Sequence, residues 1–374
     1  MDNRLYRDFV NILGEELLPA MGCTEPISIA YAAALARDAL GEIPERTEIS
    51  VSGNILKNVK SVVVPNTGGM KGVTCAAAAG IIAGDSSKKL EVIAGVTAAE
   101  VQKIAAYLKT ASFSVEHSRS GCVFDIGVKV YKGENSAFVR IVGHHTNVVL
   151  VQKNGESVFS SEAVYEENSC RTDRSILTVD KIVEFADGLN VADVYDLIKR
   201  QIDYNKAISD EGLKNDYGAK VGKVLLNSFG KGVHNRAKAA AAAGSDARMN
   251  GCSKPVVIVS GSGNQGMAAS LPLITYAEYL NLPEEKLIRG LVVSDLVTIH
   301  LKTGIGRLSA YCGAVSAGCG AGAGICYLYG GNAAAVSCTI VNALAINSGV
   351  ICDGAKSSCA AKIASAVEAG ILGF

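Results

Sequence analysis

The feature that most constrains how this chain folds is its last quarter, from Cys312 to Cys359: CGAVSAGCGAGAGICYLYGGNAAAVSCTIVNALAINSGVICDGAKSSC. It holds six of the eleven cysteines (Cys312, Cys319, Cys326, Cys338, Cys352 and Cys359), and Asp353 and Lys356 are its only charges. The rest is almost entirely Gly, Ala, Ser and aliphatic residues, so the segment reads as buried, close-packed helix. It carries more thiols than packing requires. Three readings stand: small packing residues, zinc ligands, or ligands of an iron–sulfur cluster, whose irons take thiolates. The absence of CxxC pairs weakens zinc, and spacing does not choose among the thiols. Gly354 lies between Cys352 and Cys359, so a turn there brings both to one metal.

At 374 residues the chain is long enough for two or three domains. Its 49% hydrophobic and 19% charged content is that of a globular protein. The zero net charge gives no electrostatic footprint for nucleic acid or an anionic membrane. The start, MDNRLYRDFVNILGEELLP, is an amphipathic helix pattern with acids inside it and not a signal peptide. The apolar run Ile325–Ile351 is interrupted by Gly, Asn and Ser and lacks basic flanks, so it reads as buried helix rather than a membrane span. An odd cysteine count without a secretory signal points to a reducing, cytoplasmic setting with free thiols, metal ligands or a catalytic thiol.

The pattern is α+β and helix-rich. Leu5, Phe9, Val10, Leu13 and Leu17 recur at helical spacing, and Pro19 ends that helix. In AMGCTEP, Thr24 reads as an N-cap and Pro26 as a first-turn residue of a helix that runs to Leu40 and ends at Gly41. Cys23 then sits at a helix N-terminus, where the dipole and unpaired N–H groups lower a thiol pKa; the plain alternative is a small buried hydrophobe. Thr47–Ser52 reads as a strand. It leads into SGNILKNVKSVVVPNTGGMKG, whose glycine turn, with Lys71, precedes a helix over Val73–Ala83 and suits a carboxylate or phosphate.

Leu90–Val96 reads as a strand, Ala98–Leu108 as a helix, and Cys122–Tyr131, Ala137–Val142 and a segment from Val148 as strands. His144 and His145 read as a surface turn between strands. The polar stretch Asp203–Gly218 is the best linker, and the chain beyond it reads helical. SGSGNQG (Ser260–Gly266) follows the apolar run Pro255–Val259 and opens a helix. Gly261, Gly263 and Gly266 match GxGxxG, but the acids about twenty residues on, Glu284 and Glu285, follow Pro283 and read as a helix start, which counts against a dinucleotide site. An anion cradle and an ordinary capped turn both remain open there. His300, Lys302 and Arg307 read as a capped helix end.

AMGCTEP, SGNILKNVKSVVVPNTGGMKG, SDARMNGCSKPVVIVSGSGNQG and TGIGRLSAYCGAVSAGCGAGAG together resemble the L-cysteine desulfidase family, relatives of the iron–sulfur L-serine dehydratases. The resemblance covers nearly the whole chain. It implies a lyase without pyridoxal phosphate that carries a [4Fe–4S] cluster on three cysteines, the fourth iron open to substrate. By motif the ligands are Cys312 in SAYCGAVSAG and Cys352 and Cys359 in CDGAKSSC, and Cys23 is the base. Cys319, Cys326 and Cys338 are left as small core residues. Asn54, Lys57, Asn66, Lys71, Ser262, Gly263, Asn264 and Gln265 are expected near the substrate.

The implied organisation has three parts. Residues 1–88 carry Cys23 and pack on the C-terminal domain, 89–203 form a small α+β domain, and 204–374 form a mostly α-helical cluster-binding domain. The implied reaction is elimination of L-cysteine to sulfide, pyruvate and ammonia. The partner is an amino acid, and a homo-oligomer is compatible. Serine dehydration by the same chemistry, a non-catalytic amino-acid-binding relative and an electron-transfer protein with four cluster ligands are the other readings. The serine enzymes carry a Ser-Ser-His-Thr type motif where this chain has Gly-Cys-Thr-Glu, which favours cysteine. Members of the family usually continue some tens of residues past the segment ending here at Phe374, which implies a short or truncated form.

Overall fold

The computed structural model describes residues 1–161, 172–306 and 308–374; Arg307 is outside the described residues. The chain opens with α1 (Asn3–Glu16), capped by Asp2 and burying Phe9, Ile12 and Leu13. A short strand β1 (Pro19–Met21) follows, then α2 (Thr24–Leu40), which is buried on nearly every side and ends at Gly41 in the left-handed region. The sheet that covers α2 begins with β2 (Arg46–Val51). Next come α3 (Gly53–Val59) and α4 (Val73–Ala83). α4 crosses α2 so closely that a Cβ on Gly80 would lie 2.0 Å from the Ala30 carbonyl oxygen.

After α5 (Ala98–Thr110) come β3 (Ser112–His117), β4 (Asp125–Lys132), β5 (Asn135–Val142), β6 (Val148–Lys153) and β7 (Glu156–Ser160). The six-stranded sheet has the order β3-β2-β4-β5-β6-β7, with β2 parallel to β3 and antiparallel to β4. Ile126, Val128 and Val130 of β4 and Ala137, Val139 and Ile141 of β5 alternate onto the face that α2 covers. Each larger aliphatic side chain buried there contributes about 1.5–3 kcal/mol.

The remaining elements are helical except for one short strand. They are α6 (Val179–Gly188), α7 (Tyr195–Lys214), α8 (Val221–Phe229), α9 (Val233–Met249), β8 (Pro255–Val257), α10 (Gly263–Tyr279), α11 (Glu284–Ile305), α12 (Gly313–Leu328), α13 (Ala333–Ile346) and α14 (Cys359–Gly373). The whole is a helix-rich α+β fold, as the sequence indicates. Among the described residues no helix is long and apolar enough to cross a membrane.

The glycines of α12 divide between two neighbours. Gly318 and Gly322, one turn apart, face α14: a Cβ on them would lie 2.2 Å from the Ala366 oxygen and 2.4 Å from the Gly370 oxygen. Gly320 and Gly324 face α11, where a Cβ would lie 2.4 Å from the Ser294 oxygen and 2.9 Å from the Gly290 oxygen. α12 is therefore clamped backbone to backbone on two sides. The pairing of Gly318 with Ala366 and Gly322 with Gly370 makes α12 and α14 run in the same direction. Carried back to the helix starts, that register sets Cys312 level with Ala360, next to Cys359.

Three expectations about elements are corrected. Asp203–Gly218 is not a linker: α7 runs to Lys214, because Ile198, Ile202, Asn205, Ser209 and Gly212 form a buried stripe under its polar surface. Leu90–Val96 is not a strand; a 3-10 turn, Ser86–Glu91, ends there instead. Cys338 is not a core residue but lies on the exposed face of α13, while Cys319 and Cys326 are buried.

Candidate active site

A two-stranded ladder assembles the site. β1 pairs antiparallel with β8, Pro19 opposite Val257 and Met21 opposite Pro255. This carries the start of α2 to the loop Ser260–Ser262, where Thr24 Oγ1 donates to the Gly261 carbonyl at 3.0 Å. No parallel strand adjoins β8 among the described residues, so SGSGNQG does not stand in a dinucleotide-binding unit. Gly266 is required there by close approach, since a Cβ would lie 2.0 Å from the Val257 oxygen. Gly22 sits at φ +58°, and a side chain on it would run into Pro65 at 2.1 Å.

Four helices begin at the resulting cavity: α2, α10, α12 and α14, and none has a side-chain N-cap hydrogen bond. Cys23 is the N-cap residue of α2, not Thr24 as the sequence suggests, and Cys312 is the N-cap residue of α12. Cys359 is the first residue of α14 and packs with Cys23, Val62 and Met249 in one cluster. The positive ends of these four helices make the cavity a place for negative charge, although the first N–H groups of α14 already donate to the Lys356 and Ser357 oxygens.

The Cys23 thiol donates to Glu25 Oε2 at 2.9 Å. The expected lowering of its pKa does not occur. Burial pushes the thiol well above its ordinary value, the Glu25 carboxylate adds to this, and Arg248 opposes it. Burial alone would raise the Glu25 carboxyl. His145, the Cys23 thiol and Asn58 Nδ2 (2.8 Å from Oε1) outweigh burial and hold it below the ordinary range. Cys23 and Glu25 thus form a buried dyad with the proton on sulfur.

The other thiols are set by the backbone. Cys312 N donates to the Val350 oxygen at 3.0 Å, and Cys352 N donates to the Ala310 oxygen at 2.7 Å. The two side chains are hydrogen-bonded: Cys312 keeps the proton and is pushed up, whereas Cys352 accepts and is pushed down, helped by the Gly354 N–H, Lys57 and Lys362. Burial raises Cys359, against Arg248 and Lys362. Gly354, at φ +100°, turns the chain between Cys352 and Cys359, where a side chain would meet the Lys57 oxygen at 2.3 Å. Among the described residues no three His, Cys, Asp or Glu side chains converge on a position for a single metal ion. A cluster takes one thiolate on each of three irons, so its ligands surround a volume instead of a point.

Of the residues singled out from the sequence, Cys23, Lys57, Ser262, Asn264, Gln265, Cys312, Cys352 and Cys359 line this cavity. Gly263 lines it only indirectly, by leaving room for Arg248. Asn54 lies a turn earlier on α3 and does not reach it. Asn66 is taken up elsewhere, its Nδ2 donating to the Ile93 and Ala94 oxygens at 3.0 and 3.2 Å. Lys71 is exposed, its backbone bridging Val63. The cavity wall also contains Glu25, Asn58, Arg248 and Lys362, which sequence reasoning passed over, Lys302, which it read as part of a capped helix end, and His144 and His145, which it put on the surface. His145 is buried, with its ring edge-on to Phe124. The available signals were Glu25 directly after the Cys-Thr pair and Arg248 closing an alanine-rich helix.

A thiol-lined cavity at which four helices begin, on a helix-rich α+β frame, is suited to a small anion. The family model described as serine dehydratase alpha chain matches residues 87–374, and the chain belongs to that family. A UPF0597 protein of Desulfitobacterium hafniense is 56% identical over 372 residues, covering 100% of this chain and 86% of the relative. Another, of Lachnoclostridium phytofermentans, is 50% identical over 368 residues, covering 98% and 88%. A third, of Treponema denticola, is 46% identical over 377 residues, covering 99% and 88%.

Proposed function

We propose that this protein is an iron–sulfur lyase that removes the β-substituent of a small L-amino acid, with L-cysteine as the substrate and sulfide, ammonia and pyruvate as products. The observation that carries this reading is that Cys23, Cys312, Cys352 and Cys359 line one cavity. The donor set fits a [4Fe–4S] cluster held by those three cysteines. All are free thiols around a common space, with Lys57, Arg248 and Lys362 near enough to favour thiolates. When bound, such a cluster supplies an iron with an open position, a Lewis acid for the substrate's carboxylate or sulfur.

The chain's own residues supply the proton chemistry. The resting dyad keeps its proton on sulfur, so the thiol must first give it up to Glu25 along their 2.9 Å hydrogen bond, an uphill step, before the thiolate removes the proton from the substrate Cα. The Cα–H electron pair becomes the Cα=Cβ bond, and the Cβ–S bond breaks, sulfur leaving with the pair as hydrosulfide. The aminoacrylate tautomerises to an imine, and water hydrolyses it to pyruvate and ammonia. The starts of α2 and α10 have no side-chain cap bond, and their positive ends suit the charge of the carboxylate. The free thiols suit a reducing compartment such as the cytoplasm.

The test is turnover by anaerobically reconstituted protein. L-Cysteine should give equal amounts of sulfide and pyruvate, and Cys352→Ala should lose iron and activity together. Equal turnover by colourless, metal-free protein would falsify the cluster reading. The family match favours a second reading, L-serine dehydration with the same residues. The ratio of kcat/KM for the two amino acids separates them, and we expect it to favour cysteine.

A further inference from the structure

We infer that Arg248 is the anchor for the substrate's α-carboxylate, and that the side-chain oxygens of Asn264 and Gln265 receive its ammonium group. This rests on the amino-acid substrate of the reading above and says how the cavity recognises it. Arg248 closes α9 and is 2% exposed, yet its Nε has no hydrogen-bond partner, and among the described residues no carboxylate pairs with it. A buried guanidinium is costly unless paired, and a carboxylate is the partner its planar donors fit. The side chain lines the same cavity as Cys23 and Cys359. A ligand on it therefore shares that cavity with the proposed base and a proposed cluster ligand.

The backbone is shaped around this side chain. A Cβ on Gly263 would lie 2.5 Å from Arg248 Nε and 2.9 Å from its Cζ. The second glycine of SGSGNQG thus makes room for a guanidinium rather than a nucleotide phosphate. The uncapped start of α10 lies alongside and adds N–H donors for the same anion. Asn264 Oδ1 and Gln265 Oε1, one and two residues on, are buried acceptors without partners, and Gln265 packs over Gly313 beside Cys312. An unpartnered cation and unpartnered acceptors in one cavity are the complement of a zwitterion.

The test is calorimetric binding of L-alanine, which has no β-leaving group, to metal-free and to reconstituted protein. L-Alaninamide, which lacks the negative charge, should bind the wild type at least about 10-fold more weakly than L-alanine, the factor expected for one charge-assisted hydrogen bond. Arg248→Gln should weaken L-alanine by about 10- to 100-fold and abolish its advantage over the amide, while Arg248→Lys should restore part of both. An Arg248→Gln protein that binds L-alanine like the wild type would overturn the assignment. So would a wild type that binds the acid and the amide equally, or neither; these need no variant to fold. The expected pattern in a protein that releases no sulfide leaves the anchor standing and overturns the lyase reading.

Discussion

The helices of this protein begin in two different ways. α1, α5, α6 and α13 start under side-chain caps from Asp2, Thr97, Thr178 and Asn332, and α5 has a full capping box with Glu100. α2, α10, α12 and α14 start at the cavity without caps, and three of those starts carry a cysteine. Lack of a cap is not distinctive by itself, since α11 starts at Pro283 without one and α8 takes the Asp246 carboxylate from α9. What separates the cavity group is convergence. A capping side chain would consume donors that a bound anion needs, so on the proposed reading these helix ends give up local stability to hold a ligand.

The largest effect that would break this comparison concerns Cys23, whose position at a helix start is the basis for its proposed role. Cys23→Ala should lower kcat by about 10²- to 10⁴-fold while leaving iron content unchanged, because a general base is lost and no cluster ligand is touched. Glu25→Gln should lower kcat as well, with a smaller effect at high pH, where solvent hydroxide can take the thiol proton. A variant lacking Cys23 that still turns over at the wild-type rate would leave α2 with no chemical part at the cavity.

Buried carboxyls sharpen the comparison next. Asp295 lies mid-helix in α11, accepts from Gln201 Nε2 at 2.9 Å, and is pushed by burial to about 7. Glu25, in the first turn of α2, is equally buried but is held below its ordinary value by His145 and three hydrogen-bonding groups. The two contribute to stability with opposite signs. The Asp295 contribution is full below its unfolded pKa of about 3.9 and is lost as pH rises through about 7. The Glu25 contribution is present above about 4.3 and is lost as pH falls through its folded value. The Asp295 displacement corresponds to about 4 kcal/mol. Asp295→Asn should therefore match the wild type near pH 4 and exceed it at pH 7.5 in urea denaturation; parallel pH profiles would mean that Asp295 titrates normally.

The clamp between α12 and α14 comes third. Gly318→Ala places a Cβ where the Ala366 carbonyl stands, and the two helices must separate or slide. The expected cost is about 1–3 kcal/mol. Because the register of this pair sets Cys312 beside Cys359, iron content after reconstitution should fall as well. The control is Gly14→Ala on α1, where the new methyl meets nothing; it should keep both properties.

Legibility followed the same division. The thiols were named by the family resemblance of their motifs, since spacing does not choose among them; what the residues themselves offered was the turn at Gly354 between Cys352 and Cys359. Arg248, His144 and His145 were not readable, because they reach the cavity through the β1–β8 ladder and the edge of the sheet, pairings between distant segments. Asn66 and Lys71 misled for a local reason. Their polar loop looks like an anion cradle, but it spends its donors on closing itself, with Thr67 Oγ1 on the Val64 oxygen at 2.7 Å and Asn66 on Ile93 and Ala94. α7 misled because its buried stripe includes Asn205 and Ser209, polar residues that read as linker until their partners on other helices are seen.

The smallest expected effect tests the opening contrast most directly. Thr97→Ala removes a cap in which Thr97 Oγ1 accepts from Glu100 N at 3.3 Å and Glu100 Oε2 accepts from Thr97 N at 2.8 Å. The loss should be about 1 kcal/mol in urea denaturation. Ser262→Ala changes a residue of the same capping type at the start of α10, but that hydroxyl makes no cap bond. Its stability should stay within about 0.5 kcal/mol of wild type. Both are Ser/Thr hydroxyl deletions at N-cap positions, so propensity alone expects the same cost for both. A difference in the stated direction means that the α10 start is held open. Equal losses would mean that Ser262 caps its helix in solution, and the donors assigned to the substrate would then already be spent.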